Sequence, residues 1–175
     1  MRTLKQFTVF VMMASLVSIT ACKSDDDGGD PVASGGASGV ITAKIDGNSF
    51  QSLEITSTAS QVTAGPNTTV TLQGNSSTQG FSIIINAFDG VGTYEITDSN
   101  VFIVASYIEP NVSNPSATQT WNAPYQDSGV VGEIKVSEDS DTNIKGTFSF
   151  QCKNANDDSV KNITEGTFNL TKQIF

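Results

Sequence analysis

The residues of this chain that could do covalent or acid–base chemistry are few. There is no histidine, which removes the usual general base near neutral pH and the commonest nitrogen ligand for a metal. Two cysteines are present, Cys22 and Cys152. Cys152 alternates with Phe148 and Phe150, the spacing of an inward strand face, so its thiol reads as a buried, inert side chain. A glycosidase needs two carboxylates about 5–10 Å apart in a cleft. The acids available are Glu95, Glu109, Glu133, Glu165, Asp89 and Asp98. Glu133 alternates outward beside Lys135 and Glu165 precedes a glycine, so they read as solvated-face and turn residues. Binding chemistry has a better candidate. The segment Glu109–Ser128 holds three of the five prolines, the only tryptophan, Trp121, and Tyr125, with Asn122 and Gln126 beside them. Aromatic faces next to amides suit stacking and hydrogen bonding to a sugar, or a protein contact. The alternative is that both rings fold back and cap one end of the core. No catalytic residue, metal ligand or cofactor is implied.

The elements that would place these residues begin with a leader. Arg2 and Lys5 precede an apolar stretch from Phe7 to Thr20 of about 14 residues, too short to span a bilayer, which takes ~20. It ends in Ile19-Thr20-Ala21-Cys22, which resembles a bacterial lipobox. That resemblance implies cleavage between Ala21 and Cys22, a diacylglycerol on the Cys22 thiol and an acyl chain such as palmitate on the freed amine. Each buried CH₂ holds a lipid anchor by about 0.8 kcal/mol, so two or three chains would attach the protein firmly to its membrane. Cleavage would take away Arg2 and Lys5 and leave seven basic residues against 18 acidic ones. So acidic a chain has no basic face for nucleic acid.

Behind Cys22 stand Lys23, Ser24, Asp25, Asp26 and Asp27. This cluster resembles the export signal of surface lipoproteins in the Bacteroidetes, which implies the outer membrane and display on the cell surface. Read as a plain acidic linker, it leaves the protein on the periplasmic side. Glycine, serine and alanine without apolar periodicity follow to Gly39, a flexible tether. The expected organisation is a signal peptide over 1–21, a lipidated acidic tether over 22–39 and one folded domain over 40–175.

That domain reads as strands. Over the whole chain Ser and Thr together number 41 and only 15% of residues are charged, against about 25% in ordinary soluble domains. Ile41, Ala43 and Ile45 alternate with polar residues, and Asp46-Gly47-Asn48 supplies a turn. Val70 and Leu72, Phe81–Phe88, Val101–Ile108, Ile134 and Val136, Thr142–Lys153 and Gly166–Ile174 continue the pattern. No helical stripe interrupts them. The expectation is all-β: a single antiparallel sandwich or barrel of about eight or nine strands. A short pattern recurs at Gly92-Thr93-Tyr94, Gly146-Thr147-Phe148 and Gly166-Thr167-Phe168. Its glycines read as bulges or close backbone approaches and its rings as core anchors.

The stretches ITAKIDGNSFQS, GVGTYEI, IKGTFSFQCKN and VKNITEGTFNLT resemble a group of Bacteroidetes lipoproteins built on a β-rich domain of unknown function. The resemblance covers most of residues 40–175 and specifies fold, not chemistry; Cys152 stands where that group has a small apolar residue. Asp158-Ser159-Val160 resembles an O-glycosylation pattern of exported Bacteroidetes proteins, which makes Ser159 the candidate acceptor. Three functions stay open: a non-catalytic binding module for glycan or protein, an accessory component of an envelope assembly, and a small-ligand carrier in a closed barrel. The partner these readings share is the membrane, through the anchor on Cys22. Replacing Cys22 with Ala is expected to release the protein into the soluble fraction or leave an uncleaved precursor, read by cell fractionation and intact mass. An unmodified Cys22 thiol in the wild-type protein would contradict the anchor.

Overall fold

A computed structural model describes residues 38–175. Eleven strands follow one another: β1 (Val40–Ile45), β2 (Asn48–Gln51), β3 (Thr58–Ala64), β4 (Asn67–Asn75), β5 (Gly80–Asn86), β6 (Gly92–Thr97), β7 (Ile103–Glu109), β8 (Gln119–Ala123), β9 (Val130–Asp139), β10 (Asn143–Lys153) and β11 (Val160–Ile174). Short 3₁₀ turns lie at Glu54–Thr56 and Pro115–Ala117. The first hairpin closes as its sequence demands: Asp46 and Gly47 both take left-handed conformations, φ 48° and 84°, the geometry of a two-residue turn that matches strand twist.

The strands form two antiparallel layers, joined where the central strands β11 and β10 of one reach the edge strands β3 and β8 of the other. One layer runs β2-β1-β11-β10-β9-β6, the other β3-β4-β5-β7-β8. The last residues of β11, Lys172–Ile174, pair in parallel with Ala59–Gln61 of β3, and Lys153 of β10 bridges to Asn122 of β8. The result is a sandwich whose corners are stitched into a flattened barrel. Phe81 of β5 stands at its centre, with ring centroids 4.9 Å from Phe50, 5.4 Å from Tyr107 and 5.6 Å from Phe148. At one end Lys172, inward on β11 and only 7% exposed, pairs with Asp139 at 2.5 Å, so this buried lysine has its counter-charge.

The all-β class and the inward faces of β1, β4, β5, β9, β10 and β11 agree with the alternation in the sequence. The count and the uniform antiparallel pairing do not. There are eleven strands because β2 is four residues long, β3 buries only Ala59, and β8 lies inside the segment read as a loop. The parallel contact arises because β11 outruns its antiparallel neighbours and meets β3. Val101 and Phe102, read as the start of a strand, lie exposed in the turn before β7. Ala87 turns left-handed at φ 55° and ends β5 at Asn86.

The recurrent Gly-Thr-aromatic pattern has a structural cause. In the β10–β11 pair Gly146 lies opposite Phe168, Thr147 opposite Thr167 and Phe148 opposite Gly166. Each ring lies across the glycine of the other strand: a Cβ on Gly146 would stand 2.4 Å from the Phe168 ring, and one on Gly166 2.5 Å from Phe148. Cross-strand pairs of this kind let an aromatic cover a backbone that carries no side chain. Beyond Gly166, left-handed Glu165 (φ 50°) makes a bulge, after which Phe150 faces Ile163. The extra residue restores phase, so Ile163 and Gly166 both face inward.

The two layers differ in charge. Glu109, at the end of β7, is the single charged residue in β3, β4, β5, β7 and β8. The outer face of the other layer carries Lys44, Glu95, Glu133, Lys135, Lys145 and Glu165.

Phe148, Phe150 and Phe168 are 3%, 3% and 0% exposed. Phe168→Ala is expected to cost about 3–5 kcal/mol of folding stability in urea titration. Gly166→Ala should cost about 1–3 kcal/mol, because its methyl meets the Phe148 ring. At Gly92 a Cβ meets nothing within 4 Å, so Gly92→Ala should stay within about 0.5 kcal/mol of wild type.

Candidate functional site

The aromatic platform expected between Glu109 and Ser128 does not form. Trp121 sits in β8, where alternation turns it and Ala123 inward, and it is 5% exposed. Its ring lies 5.4 Å from Tyr107, its Nε1 donates to Ser159 Oγ at 2.9 Å, and Lys161 Nζ stands 5.4 Å from the ring centre. Tyr125 is half-buried beside β10: its hydroxyl donates to Gln151 Oε1 at 2.8 Å and Lys153 Nζ lies 5.9 Å from its ring. Asn122 points to the opposite side of β8 from Trp121, where its Oδ1 accepts from Ser106 Oγ at 2.8 Å. The expectation of two at least partly exposed rings fails at Trp121, which takes the alternative course into the core because a five-residue strand runs through what read as loop; Tyr125 stays half-buried. Ser159 is half-buried, its Oγ serving the indole and its backbone N–H donating to Asp157 at 2.9 Å. Ala21, Cys22, Lys23, Ser24, Asp25, Asp26 and Asp27 lie outside the described residues.

The same segment does build a pocket, from other residues. Gln79 from the β4–β5 turn, Glu109 ending β7, Pro110, Asn111 and Val112 just beyond it, and Gln119 opening β8 line an open cavity of about 570 Å³. Behind it stands Tyr107, fully buried. Gln79 Nε2 donates to the Tyr107 hydroxyl at 2.8 Å, and that hydroxyl donates to Glu109 Oε1 at 2.7 Å. On the far side buried Asn154 donates through Nδ2 to Gln119 Oε1 at 2.9 Å. Asn111 Oδ1 accepts from the Asn114 backbone at 2.9 Å. Sequence reasoning flagged the segment and Glu109 but missed Gln79, Asn111, Gln119 and Tyr107. Nothing local marks them, since three separate chain segments meet there.

A second, smaller depression of about 440 Å³ lies on the outer face of the larger sheet, lined by Glu133, Thr147, Ser149, Glu165 and Thr167. It brings together two of the acids singled out from the sequence. Glu165 is held by Lys44 at 2.7 Å, and Glu95 lies directly across from Glu133. Among the described residues no group of three or more acids or cysteines is placed to hold a metal.

The family model described as Domain of unknown function (DUF6252) matches residues 37–170. The chain belongs to that family. No curated protein and no solved structure matches it.

In this DUF6252 domain the one described cysteine is buried, as its alternation with Phe148 and Phe150 implies. Cys152 is fully buried, its Sγ 3.7 Å from the Lys161 carbonyl. Burial, with a smaller push from the Asp46 carboxylate, raises its pKa to about 12. Burial also raises the hydroxyls of Tyr107 and Tyr94. All three groups fold best protonated. The stability they contribute is complete below their ordinary values, 9.0 for the thiol and 10.0 for the phenols, and is lost as pH rises toward the folded-state values. The urea midpoint is therefore expected to fall between pH 9 and pH 12. In a Cys22→Ala chain at pH 8, a thiol reagent should find no reactive group until denaturant is added, and then one. Rapid labelling of the folded protein would contradict the buried thiol.

Proposed function

We propose that this DUF6252 chain is a surface-displayed lipoprotein of the outer membrane, of the kind found in Bacteroidetes, and that its β body binds a glycan or a protein without catalysing a reaction. The lipobox-like Ile19-Thr20-Ala21-Cys22 and the acidic cluster behind it support the anchoring and the address. The observation that carries the binding role is the open pocket at Gln79, Glu109, Asn111 and Gln119. It presents fixed hydrogen-bonding groups beside Pro110 and Val112. Its one acid, Glu109, is engaged on one oxygen by Tyr107, and no cysteine or lysine lines it. Such a site suits recognition more than turnover.

A second reading, an accessory component of an envelope assembly, draws on two observations. Trp121 belongs to the core, and the smaller sheet has an almost uncharged outer face that a neighbouring component could cover. The carrier reading has less support, because Phe81, Tyr107, Phe148 and Phe168 fill the interior.

The two main readings separate on a glycan array and a panel of purified envelope proteins, probed with the full chain purified as cells produce it. The binding role predicts saturable capture of one ligand class, weakened by the double variant Glu109→Ala, Asn111→Ala. Capture that this variant leaves unchanged, or none at all, would favour the accessory role.

A further inference from the structure

The pocket's hydrogen-bonding groups are fixed in a definite pattern. Because Gln79 gives its Nε2 and Glu109 its Oε1 to the Tyr107 hydroxyl, Gln79 Oε1 and Glu109 Oε2 are left without a hydrogen bond among the described residues. Because Asn111 gives its Oδ1 to the Asn114 backbone, its Nδ2 keeps both hydrogens free. Gln119 is held through Oε1 by Asn154, and its Nε2 reaches the Ala117 carbonyl at 3.3 Å with one of its two hydrogens. The lining thus offers two acceptor oxygens, unused hydrogens on the amides of Asn111, Gln119 and Gln79, and the Thr78 hydroxyl; the amides and the carboxylate sit on side chains already held by another bond. Groups fixed in advance lose little freedom when a ligand arrives.

The ligand chemistry follows from that set. A saccharide hydroxyl both donates and accepts, and so does its neighbour on the next ring carbon. An array of carboxylate and amide oxygens interleaved with amide N–H groups satisfies several at once. Pro110, Val112 and Ala117 supply apolar surface for the C–H face of a sugar ring. No lysine or arginine lines the pocket, which disfavours phosphates and sugar acids. Its volume of about 570 Å³ falls within the ~300–1,000 Å³ of small-molecule sites. Glu109 is also the single charge on the whole five-stranded sheet, and it sits at this rim. Carboxylate acceptors make hydrogen bonds roughly twice as strong as neutral ones, so it is the group on which a neutral polyol would depend most.

We propose that the pocket between Gln79, Glu109, Asn111 and Gln119 binds a neutral saccharide, with Glu109 and Gln79 accepting from ring hydroxyls and Asn111 donating to them. Tyr107 is the positioning residue that fixes Gln79 and Glu109. The proposal rests on the binding reading above and narrows it to one site and one ligand class.

The test is calorimetric titration of the full chain, purified as cells produce it, with neutral oligosaccharides of glucose, mannose, xylose and galactose. A trigalacturonate and a chitosan trimer serve as anionic and cationic comparators. At least one neutral oligosaccharide should bind, and neither charged trimer should bind better. Glu109→Gln keeps the acceptor for Tyr107 but removes the charge, and should raise Kd about tenfold. Asn111→Ala, at an exposed position, should raise it about threefold to tenfold. Glu133→Gln, in the other depression, should change nothing. The proposal is overturned if no neutral oligosaccharide binds, if the chitosan trimer alone binds, or if Glu109→Gln and Asn111→Ala leave binding intact in folded protein. Capture of a protein by the pocket without any saccharide binding would overturn this inference and leave the binding module standing; the absence of both would remove the two together.

Discussion

Phe148 and Phe168 each lie across a glycine of the neighbouring strand, and the architecture hangs on the register this sets. β10 and β11 are the two strands from which everything else is suspended: β9 and β6 extend from β10, β1 and β2 from β11. Both corner contacts, β11 to β3 and β10 to β8, are made by the same pair. A slip of one residue between them would turn either Phe148 and Phe150 of β10 or Phe168 of β11 to solvent and would bring a Cβ against a neighbouring backbone. Glycine at 146 and 166 makes one register sterically possible, and the rings make it favourable. The left-handed bulge at Glu165 then lets a fifteen-residue strand keep one face inward from Ile163 to Lys172.

Where a strand carries its own apolar alternation, the sequence was readable. Ile41-Ala43-Ile45, Phe81-Ile83-Ile85 and Phe148-Phe150-Cys152 each announce a face, and each face points inward. β2, β3 and β8 were not readable because their burial is supplied by the opposite layer: Phe50 is the only apolar anchor of β2 and Ala59 the only buried residue of β3. For β8 the three prolines of its surroundings pointed to a loop, yet Pro110, Pro115 and Pro124 only bracket the strand Gln119–Ala123. Of the two readings open for Trp121, the inward one holds for the same reason. Its indole N–H finds Ser159 across 38 positions of sequence, a partner no local pattern reveals.

The pocket shows the complementary limit. Glu109 was visible as an acid of the suggestive segment, but what distinguishes it is isolation. It is the lone charge of a sheet made otherwise of threonine, serine, asparagine, glutamine and apolar residues. That becomes apparent only once the strands are assigned to layers. Likewise Gln79 belongs to a turn far from Asn111 in sequence, and Tyr107 links it to Glu109 only after β5 and β7 pair through Phe81 opposite Tyr107.

The pairing of β1 with β11 also orders events in time. Val40 lies opposite Asn169, and the Gly39 amide donates to the Asn169 carbonyl at 2.8 Å. In a chain made from its N-terminus, β1 and its hairpin partner β2 must wait for almost the whole body before their main neighbour exists. The meander β3-β4-β5 can pair as it emerges, and β7 and β8 can join it. Loop closure across so long a stretch makes the final step the slow one. Until it happens, β1 and β3 both present open edges to any strand nearby. The most vulnerable moment for this protein is therefore the interval before β11 arrives to occupy both edges.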